Sequence, residues 1–178
     1  MLSFVNQTAK LNHVNVRYEF AGKNAEGGRA ASDLRLVVKG GNQLLDKLDP
    51  HLRGSFYMLN EDTKQAELVG LELTKLRHPL LQSTLAYDKK YVGYTVSIDH
   101  AGNPETAIVL TDCAVNEFKL TTQEGGTVII AFQVQFHPLP GQLDLIADKQ
   151  QQDVRVTMTP PAAEAPKPKP ADLVEAAT

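Results

Sequence analysis

The segment Thr127–Phe136 reads TVIIAFQVQF. Val128, Ile130, Phe132, Val134 and Phe136 fall on every second position of it. Strand side chains alternate between faces, so this is a strand with one unbroken apolar face. Five large apolar residues on one face must be covered, and what covers them is constrained by the neighbouring sequence. Strand patterns also fall at Thr84–Tyr87, Tyr91–Ile98, Thr106–Leu110 and Ala114–Leu120. Only short turns separate them: Asp88-Lys89-Lys90, Gly102-Asn103-Pro104 and, before the last strand, Glu124-Gly125-Gly126. A parallel pair needs a crossover of roughly a dozen residues or more, usually a helix. None fits here, so the strands run antiparallel. The fold class is mainly β: an antiparallel sandwich or partly open barrel with a few short helices and a disordered C-terminal tail.

The remaining segments supply the flanks. Val14, Val16, Tyr18 and Phe20 alternate with Asn15, Arg17 and Glu19, and Leu34, Leu36 and Val38 alternate with Arg35, Val37 and Lys39 before Gly40-Gly41. Lys23–Ala31, with Gly27-Gly28, reads as a loop. From Asn42 to Tyr57 the period changes to helical, and Pro50 divides the run into two short helices, with Asp49 placed to cap the second. Leu59–Gln82 holds a short strand near Leu68–Leu73 and an irregular stretch around Pro79. Pro138 and Pro140 end the long strand. Gly141–Gln152 reads as a short helix, and Val154, Val156 and Met158 close the domain with a final strand. The single β-rich domain therefore spans 1–159. Residues 160–178, PPAAEAPKPKPADLVEAAT, carry almost no large apolar side chain and cannot offset their ordering entropy, so they are expected to form a disordered Pro/Ala-rich tail.

With 178 residues, 42% hydrophobic and 22% charged, the chain is long enough to bury a core without covalent staples. One cysteine excludes an intrachain disulfide or a cysteine-based zinc site. No apolar run approaches the roughly 20 residues of a membrane span. The opening MLSFVNQTAKLNHV lacks the basic start and apolar stretch of a secretory signal, so the location is expected to be cytoplasmic, and Asn6-Gln7-Thr8 is a chance glycosylation match. A net charge of −3 excludes the strongly basic class of nucleic-acid binders.

No phosphate-binding loop, nucleophile elbow or HExxH motif is present. None of His13, His51, His78, His100 and His137 pairs with another at ligand spacing, so no metal and no cofactor are expected. Cys113 would need a histidine to activate it; His137 and His100 are the candidates, against the reading of a small half-buried apolar residue. Asp99, Glu105, Asp112 and Glu117 near strand ends lack the regular oxygen-ligand spacing of a calcium site.

The polar strand faces carry more. With the apolar residues inward, Arg17, Arg35, Lys39, Lys119 and Arg155 point outward, and Lys89, Lys90 and Tyr91 form a basic, aromatic turn. Small β-barrels hold single-stranded nucleic acid this way, with charge following the backbone and rings stacking on bases. On that reading Tyr91 is exposed and Tyr94 faces the other way. The alternative is a set of solvated strand faces, diluted by Glu19 and Glu117.

Two stretches, SDLRLVVKGGNQLLDKLDPHLRGSFY (Ser32–Tyr57) and DCAVNEFKLTTQEGGTVIIAFQVQFHP (Asp112–Pro138), resemble small bacteriophage- or prophage-encoded accessory proteins. The resemblance covers about a third of the chain, carries no catalytic motif and implies a phage-related origin. A β-rich core followed by a Pro/Ala-rich tail is also similar in layout to single-stranded DNA-binding proteins, although DLVEAAT lacks their acidic, aromatic-tipped end. The expected function is thus non-enzymatic binding of single-stranded DNA in replication or recombination, with homo-oligomers in view and no membrane association. The alternative is a module for phage or host proteins: a virion component or an inhibitor of a host enzyme.

Overall fold

The computed structural model describes residues 2–19, 28–59, 73–80, 84–100 and 103–161, without the side chains of 100 and 103–106. Its elements are, in chain order, β1 (Phe4–Glu19), β2 (Arg29–Gly41), α1 (Gln43–Leu48), α2 (Leu52–Phe56), β3 (Tyr57–Leu59), β4 (Leu73–Leu76), β5 (Leu85–Tyr87), β6 (Tyr91–His100), β7 (Asn103–Gln123), β8 (Thr127–Phe136), α3 (Gln142–Ala147) and β9 (Asp153–Thr159). The main sheet runs β5-β7-β6-β9-β1-β2-β8, all antiparallel. A further pairing of β7 with β8 joins its ends. The result is a closed six-stranded barrel with β5 added outside it. The mainly β class holds; the sandwich or partly open barrel expected from the sequence is here a closed barrel, which leaves fewer unpaired edges than an open sheet would present.

Closure depends on β7. Sequence patterning divides it into two strands at Thr111–Cys113, but it is one strand that turns between neighbours. Its first half pairs with β6 and its second with β8 and β5. Asp112 (φ 53°) and Glu117 (φ 51°) adopt left-handed backbone conformations where the register slips. These are β-bulges, in which an extra residue bends the strand and tightens its twist. The one at Asp112 breaks the two-residue period between Leu110 and Ala114, which is why the sequence reads as interrupted there; the one at Glu117 falls inside the second predicted strand.

Other boundaries shift too. β1 begins at Phe4, ten residues before the first alternation recognised in the sequence, because a bulge at Asn6 (φ 48°) and a register slip between Leu11 and His13 hide the period. Arg29–Ala31, read as loop, is the start of β2. The short strand near Leu68 lies outside the described residues; β4 begins at Leu73. Pro50 does separate two short helices, and the Asp49 carboxylate accepts the His51 N–H at 2.8 Å. The hairpin at Glu124-Gly125-Gly126 is as expected, with both glycines at positive φ (82° and 81°). The proposed tail lies, beyond Pro161, outside the described residues. No helix among those described is long and apolar enough to cross a membrane.

The barrel interior is aromatic. Phe132 stacks between Phe4 and Phe118, with ring centroids 6.0 and 5.7 Å away. Tyr91 meets Phe118 and Tyr94 edge-on, both at 5.7 Å. At the Thr127 end α1 buries Leu44, Leu45 and Leu48, and the Lys47 ammonium lies 5.2 Å from the Phe4 ring centre. α3 follows the opposite end of β8 and buries Ile146. The β7–β8 hairpin is pinned by Tyr57, whose hydroxyl contacts the carbonyls of Gln123 (2.9 Å) and Thr127 (2.8 Å) and accepts the Gln123 N–H (3.2 Å). Beside it, the buried Asn42 amide donates to the Leu73 carbonyl and its backbone N–H donates to Gly126 at 2.8 Å. A side chain at Gly126 would come within 3.3 Å of that amide, so the turn glycine is required for space as well as for its φ.

Candidate nucleic-acid interface

Alternation along β2, β8 and β7 sends one set of side chains out of the barrel, and the strand register arranges them in rows. Lys39 lies opposite Ile129, which faces Thr121. Val37 lies opposite Ala131, which faces Lys119, and Lys10 of β1 extends that row. Arg35 lies opposite Gln133, which faces Asn116. Arg35, Lys39 and Lys119 thus share one outer surface. Strand spacing and rise put the Lys39 and Lys119 Cα atoms about 12 Å apart. Lys10 lies outside the strands the sequence pattern marks, because the bulge at Asn6 and the slip after Leu11 hide the period there, though Ala9, Lys10 and Leu11 do alternate inward and outward.

Beyond Lys119 this surface runs into an open groove of about 530 Å³ between β5 and β7. Lys90, Lys119, Tyr87 and Phe118 form part of its wall, with Asp88 and Glu117 also lining it. Tyr87 is half-buried: it lies opposite Phe118, on the face away from Lys119, packs edge-on to that ring and holds its hydroxyl 3.4 Å from the Leu48 carbonyl, so the aromatic flank of the groove belongs to the core side.

The other basic residues are placed differently. Arg17 pairs with Glu19 (2.9 Å) and Asp33 (3.2 Å), and Arg35 pairs with Glu117 (2.9 Å) while also reaching Gln133 (3.3 Å). Exposed pairs of this kind add at most about 1 kcal/mol to stability, but they cancel local charge. Arg155 lies on β9 beside Thr8 and Asp99, around the barrel from Lys119. Among the described residues, Lys10, Lys39, Lys90 and Lys119 make no ion pair.

Tyr91 requires a correction. It is only 9% exposed, its hydroxyl contacts the Leu48 carbonyl at 3.4 Å, and the Lys89 ammonium lies 5.1 Å from its ring centre. Tyr94 is buried, as its opposite parity to an exposed Tyr91 implies, but Tyr91 lies buried beside it. The cause is Gly93, whose φ of 74° accompanies a register slip between Tyr91 and Tyr94. One bulge residue returns both rings to the interior. Neither can stack on a base without leaving the core.

Cys113 is also interior. Burial pushes its thiol up to about 12 from an ordinary 9, and its sulfur contacts the Thr111 carbonyl at 3.8 Å. A thiol held protonated in this way is a poor nucleophile. His137 is engaged elsewhere, 3.3 Å from Glu19. Among the described residues no group of three or more His, Cys, Asp or Glu could hold a metal ion.

Burial likewise raises the Tyr57, Tyr87, Tyr91 and Tyr94 hydroxyls above 10. In each case the fold favours the protonated form. The stabilisation is complete below the ordinary value and is lost as pH rises through the shifted one. For Cys113 the window runs from pH 9 to about 12, and such a group costs about 1.4 kcal/mol per pH unit within it. Melting temperature is therefore expected to be flat near pH 8 and to fall steadily above pH 9. A thiol reagent should leave Cys113 unmodified at pH 8 until denaturant is added. A flat alkaline profile together with rapid native labelling would place Cys113 at the surface.

Comparison of the chain with known protein families, with curated proteins and with solved structures finds no match.

Proposed function

We propose that this chain is a non-enzymatic, phage-type accessory protein that holds single-stranded nucleic acid across the outer face of β2, β8 and β7, acting in replication or recombination in the cytoplasm of a bacterial host cell. The observation that carries this reading is the run of Lys39, Lys119 and Lys90, without ion pairs among the described residues, leading into a groove with an aromatic flank. Ammonium groups without carboxylate partners can neutralise phosphates at no cost in broken ion pairs, and release of counterions from the strand then drives binding. Of the two rings, the half-buried Tyr87 lines the groove and is the one a base would meet at its exposed part, while its hydroxyl, like that of Tyr91, contacts the Leu48 carbonyl at 3.4 Å.

Titration of a labelled single-stranded oligonucleotide by fluorescence anisotropy at several salt concentrations tests this. Lys39→Ala and Lys119→Ala should each weaken binding and reduce the slope of log K against log salt by about 0.7, the value for one phosphate contact on a single strand. Tyr87→Ala should cost about 1–3 kcal/mol of binding with the slope unchanged. Arg155→Ala, around the barrel, should do neither. No binding at low salt and micromolar protein overturns the reading. That result would favour a module for phage or host proteins, a virion component or an enzyme inhibitor, to which the exposed end of the β1–β2 hairpin lends support: Tyr18 is 69% exposed there.

A further inference from the structure

The β1–β2 hairpin outruns the barrel. β9 pairs with β1 as far as Lys10, and the loop before β9 accompanies it to Asn12 through Leu11, Gln151 and Gln152. From His13 to Glu19 no other described strand pairs with the β9-side edge of β1, although β2 pairs with its opposite edge throughout. Among the described residues this leaves the edge of β1 from His13 to Glu19 open. Open edges are templates for a further strand, and this one carries no proline.

The direction of its backbone can be read from one contact. The buried Ser32 hydroxyl on β2 donates to the Asn15 carbonyl at 2.9 Å, so that carbonyl faces β2. Backbone groups alternate along a strand, so the N–H and C=O groups of Val14, Val16 and Tyr18 face the open side. The side chains of these three share the inward-parity face, yet Val16 is 48% and Tyr18 69% exposed, since no described strand lies beyond them on the β9 side. On the other face stand His13, Asn15, Arg17 and Glu19.

The segment HVNVRYE is complementary to itself about its central valine. In an antiparallel pairing centred there, Val16 meets Val16, Val14 meets Tyr18, Asn15 meets Arg17 and His13 meets Glu19 of the other copy. Apolar pairs fall on one face, polar pairs on the other, and no like charges stand opposite one another. A pairing centred on Arg17 would instead set two guanidinium groups face to face. Cross-strand pairs of the first kind stabilise a sheet and like-charge pairs oppose it.

We propose that the open edge of β1 from His13 to Glu19 pairs antiparallel with the same edge of a second copy of this chain, about a two-fold axis at Val16. The contact is isologous and closes at two copies. It joins two barrels through one continuous sheet of β2, β1 and their counterparts. A single strand-to-strand contact buries less than the ~1,000 Å² of a standard stable interface, so dissociation in the micromolar range is expected.

Sedimentation velocity of the full chain over a concentration series up to ~100 μM should show a reversible monomer–dimer equilibrium. Directly opposed strand residues have Cβ atoms about 5 Å apart, so Val16→Cys should give a covalent dimer under mild oxidation while the wild type, its only thiol buried, should not. Val16→Lys should remain folded, because the position is half exposed, and should lose the dimer because two ammonium groups would meet on the axis. A wild type that stays monomeric throughout the series overturns the proposal. So does a Val16→Lys protein that dimerises like the wild type, or cross-linking that succeeds at Arg17→Cys and fails at Val16→Cys.

Discussion

A chain ending at Gln152 is expected to lose cooperative folding altogether, whereas one ending at Thr159 should melt within a few degrees of the full-length protein. The difference is β9. It sits in mid-sheet between β1 and β6, paired with Phe4 and Gln7–Lys10 on one side and with Thr95–Asp99 on the other. Removing it opens the barrel and exposes two long edges at once. It also withdraws Val154, Val156 and Met158, all essentially buried. At about 1.5–3 kcal/mol for each buried side chain, the apolar loss alone rivals the 5–15 kcal/mol of a typical domain's stability. Beyond Thr159 the described residues are Pro160 and Pro161, and the latter merely approaches Gly93. Thermal melts and light scattering of the two truncations are the measurement. Equal damage from both would show that the folded domain extends past Thr159.

Phe132→Ala is expected to cost about 3–5 kcal/mol, the usual range for truncating a buried aromatic side chain. Phe132 is 1% exposed and holds the middle of the stack from Phe4 to Phe118, so its removal separates the rings of three strands: β1, β7 and β8. The surrounding closed sheet can contract only a little to fill the space, which puts the cost toward the upper end. Denaturant unfolding at constant m-value reads the loss directly. A cost below about 1 kcal/mol would mean that this face of β8 is not the barrel interior, and the assignment of inward and outward residues would reverse.

Much of the β architecture was legible because alternation is a local property. Val128–Phe136 and Val154–Met158 fold as their patterns dictate, and the short spacings from Thr84 onward allow only antiparallel neighbours. Where a bulge intervenes, the signal fails. Gly93 brings Tyr91 and Tyr94 to the same side, Asp112 joins two apparent strands into one, and Asn6 conceals the start of β1. A bulge is stabilised by the closure it permits, so its benefit is not written in the residues around it.

The candidate interface divides in the same way. That Arg17, Arg35, Lys39, Lys119 and Arg155 leave the barrel on its outer side follows from the identity of their apolar neighbours, and the sequence alone determines it. Which of them share a surface depends on strand order, and strand order is a matter of tertiary pairing. Arg155 is carried around the barrel, Arg17 and Arg35 meet carboxylates from other strands, and Lys90 and Lys119 line one groove only because β5 adds to β7. Local chemistry sets the direction of each side chain; long-range pairing, driven by closing the sheet over its aromatic interior, decides which charges meet.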